Sequence, residues 1–192
     1  MNKESFAKLV LDMRVAEKAY WKSREKEDLH KSLSLERQVD IVLEDTMQHL
    51  AEHKEHVPTT TNAEKNLHWQ LFILTNELRK ETKNYFSHKK AHPYPTDEDK
   101  AVNKANYRNV KHYESQVDHT LDRISDEKKM AAGYKIRFVV CEYRPAVRQS
   151  VPVYRSDNER MAHAECYNLN CKAAHGCYYF IAKEEIPPTS PQ

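Results

Sequence analysis

The sequence predicts an α+β protein in which a duplicated helical hairpin, resembling a four-helix bundle, precedes a small β-β-α-β module. Gly133 and Gly176 are the only two glycines in the chain, so the long region before Gly133 contains none. Glycine costs about 1 kcal/mol in a helix interior, so its absence is typical of a helical region. Apolar residues recur there at three- and four-residue steps, and after Gly133 the period changes to two, as in strands.

Proline and capping signals divide the helical region, residues 1–132. The prolines Pro58, Pro93 and Pro95 interrupt it, because a helix interior disfavours proline. Two segments of capping-box form, 61–64 and 96–99, follow these breaks and predict helix starts.

An internal repeat runs through this region. Its first block aligns, at one constant offset, Leu9, Met13, Arg14, Lys18, Tyr20 and Trp21 with Leu74, Leu78, Arg79, Lys83, Tyr85 and Phe86. Its second block aligns, at a larger constant offset, Glu36, Val39, Asp40 and Leu43 with Glu114, Val117, Asp118 and Leu121. The larger offset predicts an insertion between the two blocks of the second copy, where Pro93 and Pro95 lie.

Each copy therefore predicts a helical hairpin, about 5–56 and 62–130, and two hairpins that bury one face each form a four-helix bundle. By analogy with the second copy, the first turns near residues 23–27. No helix breaker marks that turn, so a single helix from Phe6 to about Lys54 is the alternative.

The C-terminal module spans residues 133–186. Alternating residues predict strands at 134–140 and 150–155, and Pro152 places the second at a sheet edge. A third strand begins at Cys177.

Between the last two strands, a capping box at 156–159 opens a helix to about Leu169. The proline-rich tail, 187–192, is expected to be disordered.

The charge balance does not point to nucleic acid. The net charge is +2, with 23 basic and 23 acidic residues up to Gly133 and 8 and 6 after it, so the basic footprint of a nucleic-acid binder is missing. The longest apolar run, 71–74, is too short to span a membrane, and no signal peptide is evident. We expect a cytoplasmic protein with no membrane partner, whose four cysteines are free thiols or metal ligands.

The opening pattern of the chain carries a resemblance. Phe6, Leu9-Val10, Met13-Arg14, Ala16, Lys18 and Tyr20, followed by Leu35-Glu36 and Val39-Asp40, resemble short uncharacterised helical-hairpin proteins of phage and mobile-element genomes. The resemblance covers the N-terminal part of the chain, to about position 50, and consists of mostly core positions. It implies a helical hairpin and an accessory role, and no site residue.

A zinc site is one interpretation of the C-terminal cysteines. Cys166, Cys171 and Cys177, together with His175, offer enough soft ligands for tetrahedral zinc. The tight C-x2-C knuckle is absent, and Cys166 shares an apolar helix face, so buried or idle thiols are the preferred interpretation. No cofactor is therefore predicted, with zinc as the alternative.

No catalytic residue is predicted. His49-Leu50-Ala51-Glu52-His53 fits the inverted zinc-protease pattern, but such a site needs a third ligand and a substrate chamber, and a solvated helix end is the preferred interpretation. The carboxylate pairs Glu36/Asp40 and Glu114/Asp118 are interpreted as solvated helix faces.

Two surfaces remain as candidates for binding. Arg144, Arg148, Arg155 and Arg160 concentrate in the C-terminal module and are candidate nucleic-acid contacts. Trp69, Phe72 and Ile73 lie in a helix segment that is apolar nearly all round, which predicts a central helix or a protein interface.

The sequence thus favours a non-catalytic interaction or adaptor protein that binds another protein or a second copy of itself. The resemblance adds the variant of a phage or mobile-element accessory factor, or of an inhibitor of a host protein. The alternative is a zinc-stabilised module that contacts nucleic acid through the C-terminal cysteines, histidine and arginines. An enzyme ranks third.

Overall fold

The computed structural model describes residues 2–52, 66–173 and 177–188. The elements follow the order α1 (Lys3–Ser23), α2 (Lys26–Glu52), α3 (Leu67–Ala91), α4 (Asp97–Ala131), β1 (Lys135–Arg144), β2 (Gln149–Ser156), α5 (Glu159–Lys172) and β3 (Tyr178–Ile186). This order confirms the α+β class, with the helices first and a small sheet after them.

The first hairpin turns where the repeat predicts. Helix α1 ends at Ser23, Arg24 adopts a left-handed conformation with φ of 62°, and α2 begins at Lys26. The Arg24 amide donates to the Tyr20 carbonyl, which satisfies one of the last carbonyls of α1. The alternative of one continuous helix is therefore wrong.

Hydrogen bonds at the helix starts explain two of the other boundaries. Asn66 caps α3 by accepting from the amides of His68 and Trp69. Thr96 and Asp99 form the reciprocal box at the start of α4: the Thr96 amide donates to Asp99 Oδ2, and the Asp99 amide donates to Thr96 Oγ1. The capping signal at 61–64 lies outside the described residues.

The chain divides into two compact units, Met1–Ile124 and Ser125–Gln192. Gly133, where the sequence suggested a boundary, follows the end of α4. The last residues of α4 belong to the second unit, where Asp126 pairs with Lys183 and Lys129 pairs with Glu185, each at 2.5 Å.

In the first unit, α1 to α4 share one apolar core. Each helix contributes the stripe that its sequence period predicts: Val10 and Met13 from α1, Val39 and Leu43 from α2, Leu71 and Leu78 from α3, Val117 and Leu121 from α4. All of these side chains are buried, as expected for amphipathic helices that bury one face each.

In the second unit, a three-stranded antiparallel sheet has the order β2-β1-β3. The strand β2 is at an edge, as Pro152 predicted, and the β1–β2 register shifts at Val140/Cys141, next to the position where Cys141 opposes Pro152. Helix α5 packs on the sheet through Ala162, against Ile136, Phe138 and Val140. Its N-cap is Asn158, whose side chain accepts from Arg160 and Met161, so the helix starts later than a cap at Ser156 would place it.

Gly133 ends α4 with φ of +88°, a conformation that costs glycine little. The Gly133 amide donates to the Met130 carbonyl and the Tyr134 amide to the Lys129 carbonyl. Among the described residues, no helix is both long enough and apolar enough to cross a bilayer.

Candidate binding groove

Arg14 is the centre of a charge cluster in the first unit. Arg14 lies on α1 and is only 4% exposed. It donates two parallel hydrogen bonds to Asp118 of α4, from Nε to Oδ1 at 2.9 Å and from Nη2 to Oδ2 at 3.2 Å. Glu17 also accepts from Arg14, and Glu114 lies 3.5 Å from it. The rigid guanidinium fork matches a carboxylate, which makes such pairs the strong class of ion pair.

Arg79 forms the second cluster in the same way. It lies on α3, is 7% exposed, and donates to Asp40 of α2 at 2.8 and 3.2 Å and to Glu36 at 2.6 Å. Lys83 completes this cluster, 3.2 Å from Asp40.

The two clusters are related by the internal repeat. Arg14 aligns with Arg79, Glu36 with Glu114, and Asp40 with Asp118. Each arginine nevertheless pairs with the carboxylates of the other copy, α1 with α4 and α3 with α2. The interpretation of these carboxylates as solvated helix faces is therefore wrong, because each faces a buried arginine across the bundle. The equivalence of the two arginines in the repeat was the signal that could have revealed this.

The pairing controls the protonation of the two aspartates. Burial would raise the pKa of Asp118, but hydrogen bonds from Arg14 and Lys18 outweigh it and hold that pKa below the usual aspartate range. The pKa of Asp40 is likewise lowered: Arg79 and Lys83 outweigh the effect of burial. Both aspartates are thus anions at neutral pH.

Glu17 breaks the symmetry of the two clusters. The repeat places Thr82 at the equivalent position of the second copy, where its hydroxyl donates to the Leu78 carbonyl. Burial raises the pKa of Glu17, the neighbouring charge of Glu36 adds to the rise, and Arg14 opposes it. One cluster therefore holds an additional carboxyl whose ionised form is disfavoured.

Residues of all four helices line a groove of about 370 Å³. We call it the aromatic groove, and its walls are Tyr20, Trp21, Tyr85, Phe86 and Tyr107. The first four are the two aromatic pairs that the repeat aligns. Trp21 and Phe86 are 53% and 55% exposed, so each copy presents one large aromatic ring to solvent at the same groove.

The lining of the aromatic groove is partly acidic, alongside buried apolar residues such as Leu78 and Val110. It contains the carboxylates of Glu17, Glu36 and Glu114, and Ser32 donates to Glu36 at 3.1 Å. Lys111, the basic residue of the lining, is paired with Glu114 at 2.6 Å. The groove thus combines aromatic walls with carboxylates, an arrangement suited to an apolar ligand that carries a positive charge.

The rings of the groove already contact cations of this chain. The Arg24 guanidinium lies 4.2 Å from the centroid of Trp21, and the ammonium groups of Lys89 and Lys111 lie 5.9 and 5.5 Å from Tyr85 and Tyr107. These distances are within the range of cation–π attraction.

The interface candidates on α3 lie elsewhere in the same unit. Phe72 is buried and packs against Phe6, with ring centroids 5.6 Å apart. Trp69 is half-buried and contacts Phe72 edge-on, and Ile73 is half-buried. The surplus of apolar residues on α3 thus largely supplies the bundle core.

The cysteine candidates lie in the second unit. All four cysteines are free, with Cys171 exposed and Cys166 and Cys177 half-buried, and burial raises the pKa of the Cys166 thiol. Among the described residues, these thiols do not join a group of three converging metal-ligand atoms; such a group forms instead at His88, His92 and Asp99. His175 lies outside the described residues, so the zinc interpretation of the cysteines stays a prediction. His53 of the protease-like pattern also lies outside them.

The arginine candidates in the second unit have acidic neighbours. Arg144 donates to Glu142 at 2.7 Å, and Arg155 lies 3.8 Å from Glu184. Arg148 lies in the β1–β2 turn with φ of 51°, and Arg160 is in the first turn of α5. Their contact with nucleic acid stays a prediction.

No family model, curated protein or solved structure matches this chain.

Proposed function

We propose that this protein is a non-catalytic interaction protein and that the aromatic groove is its binding surface. The occupant that the groove fits is a segment of another protein with a lysine or arginine beside an apolar side chain. The observation that carries the proposal is that the two repeated aromatic pairs and three glutamates line one groove, with Trp21 and Phe86 more than half exposed.

Charge complementarity selects the occupant. The lining includes three glutamates and one lysine. Arg14 pairs with Glu17 and Glu114 as well as with Asp118, and Arg79 pairs with Glu36 as well as with Asp40. Both arginines are buried, and neither is among the residues that line the groove. A basic side chain that enters the groove would find both carboxylates and aromatic rings in the lining, and cation–π attraction to the rings contributes about 0.5–2 kcal/mol. An acidic segment would be repelled.

The aromatic walls supply the remainder of the binding free energy. Tryptophan is enriched at interface hot spots, and phenylalanine is enriched at interfaces, because aromatic side chains bury a large area and lose little conformational entropy. An accessory factor or inhibitor of a host protein would act through such a contact, without chemistry of its own.

Selection of peptides from a random display library on the full chain tests the proposal. We expect selected peptides to combine basic with aliphatic or aromatic residues, and to lose binding at least about tenfold when Trp21→Ala and Phe86→Ala are combined. The matched control replaces Val15 and Ile41 by alanine; both are exposed apolar residues of the same unit, at 57% and 64%, outside the groove.

Selected peptides that are acidic, or that bind the groove variant and the parent equally, would contradict the proposal. Both pairs of substitutions remove exposed side chains, so neither is expected to change the fold, and circular dichroism checks this.

A further inference from the structure

The hairpin of α3 and α4 contains two histidines and a carboxylate that converge on one point. His88 lies in the last turn of α3, His92 caps the end of that helix, and Asp99 faces them from the first turn of α4. One ligand atom from each residue lies within 4.8 Å of the other two. We propose that His88, His92 and Asp99 form a binding site for a divalent transition metal of the class of zinc, copper and nickel.

The distances suit a metal of that size. His92 Nδ1 and Asp99 Oδ1 are 3.1 Å apart. In a tetrahedral zinc site, with bonds of about 2.0–2.1 Å, neighbouring ligand atoms are separated by about 3.3 Å. An ion can therefore replace the present contact of His92 with Asp99 with little movement of either residue. The rings of His88 and His92 are stacked, with centroids 4.5 Å apart, so His88 has to turn for its nitrogen to reach the third position.

Neighbouring residues hold two of the ligands in orientation. Asp99 Oδ2 accepts from both the amide and the hydroxyl of Thr96 at 2.9 and 2.7 Å, which leaves Oδ1 facing His92. His88 Nδ1 lies 3.1 Å from Asn103 Oδ1. An amide oxygen only accepts, so this contact places the imidazole proton on Nδ1 and leaves the lone pair of His88 on Nε2.

The donor set selects the class of ion. Imidazole suits zinc, copper and nickel, whereas magnesium and calcium require oxygen ligands. Three protein ligands leave a fourth position for water, and His92 is exposed, so this position is open to solvent.

Two of the three ligands, His92 and Asp99, belong to the part of the second copy that the first copy lacks. By the repeat, Ser23 at the end of α1 corresponds to His88, yet α3 continues to Ala91. Likewise Lys26 at the start of α2 corresponds to Lys104, yet α4 begins at Asp97. The inserted segment therefore lengthens both helices and the turn, and it includes His92, Asp99 and Asn103. A metal at this point would cross-link the two helices at the end of the lengthened hairpin.

Titration of the metal-free full chain with Co²⁺ and Zn²⁺ tests the site. We expect one ion per chain, a cobalt spectrum without sulfur-to-metal charge-transfer absorption, and no binding of Mg²⁺. His88→Gln and His92→Gln should each weaken binding at least about tenfold. The matched control is the double variant His112→Gln and His119→Gln, which removes two histidines of α4 that lie outside the site and should bind the metals as the parent does.

Thermal stability is a second readout, because an ion that binds the folded chain stabilises it: Zn²⁺ should raise the thermal midpoint of the parent and of the control, and not that of His92→Gln. Unchanged affinity in His88→Gln and His92→Gln would overturn the proposal. Loss of the bound ion on replacing Cys166, Cys171 and Cys177 by serine, with a thiolate signature in the cobalt spectrum, would also overturn it.

Discussion

Arg14 of α1 and Asp118 of α4 form a two-bond ion pair at 2.9 and 3.2 Å, although they are far apart in the chain. The repeat relates this pair to Arg79 and Asp40, at 2.8 and 3.2 Å. The two copies of the hairpin are therefore joined by reciprocal exchange: each gives its arginine to the carboxylates of the other. This exchange connects α1 with α4 and α3 with α2 across the bundle.

Arg14→Met should destabilise the protein by about 3 kcal/mol, the lower part of the range for breaking a buried pair. The substitution leaves Asp118 and Glu17 partly buried beside an apolar side chain, with no guanidinium to compensate them. Urea unfolding of the full chain measures the free energy. The control is Lys8→Ala, which breaks an exposed pair with Asp12 and should cost less than about 1 kcal/mol. Equal effects from the two substitutions would be inconsistent with a buried Arg14 cluster.

Stability should fall on acidification because of Asp40 and Asp118. Their pKa values are lower in the folded chain than the usual aspartate value of about 3.9. Their contribution is therefore complete above that value and is lost as the pH falls through the lower, folded-state pKa.

The measurement is the free energy of unfolding between about pH 2.5 and 7. We expect the double variant Asp40→Asn and Asp118→Asn to be less stable at pH 7 and to depend less on pH in the acidic range. If the free energy of unfolding of the double variant falls as steeply with acidification as that of the parent, other carboxyls cause the acid sensitivity.

Unlike the aspartate substitutions, Glu17→Gln should not lower the free energy of unfolding at pH 7. Because the folded chain raises the pKa of Glu17, its contribution is present below the ordinary glutamate pKa and is lost as the pH rises through the raised value. Ionised Glu17 thus costs stability at neutral pH, and the variant should be at least as stable as the parent at pH 7.

The advantage of Glu17→Gln should disappear as the pH falls below about 4. Glu44→Gln is the control, because the Glu44 side chain is 76% exposed and its removal should change little at any pH. The prediction is contradicted if Glu17→Gln is less stable than the parent at pH 7 and equally stable at pH 4. That result would show that Arg14 favours the ionised form of Glu17.

The sequence predicted the hairpins, the sheet and the edge position of the strand that contains Pro152. These features depend on local signals: apolar period, glycine, proline and capping residues. It also located Arg14 and Arg79 within the repeat. It did not predict what Glu36 and Asp40 face, because a carboxylate pair at i and i+4 looks the same on a solvated helix and opposite a buried arginine. Only the arrangement of four helices distinguishes the two.

The convergence of His88, His92 and Asp99 was missed for a related reason. Two histidines at i and i+4 are a weak signal, and the carboxylate comes from the next helix, across a turn whose length the sequence did not fix. The aromatic groove likewise needs all four helices, although the repeat had aligned Tyr20-Trp21 with Tyr85-Phe86.

The most direct test of the exchange between the two copies is a pair of double-mutant cycles that share Arg14→Met. One cycle combines it with Asp118→Asn and the other with Asp40→Asn, and urea unfolding gives each coupling free energy. We expect coupling above about 1 kcal/mol with Asp118 and additivity within about 0.5 kcal/mol with Asp40. Coupling of Arg14 to Asp40, within its own copy, together with additivity toward Asp118, would contradict the exchanged pairing.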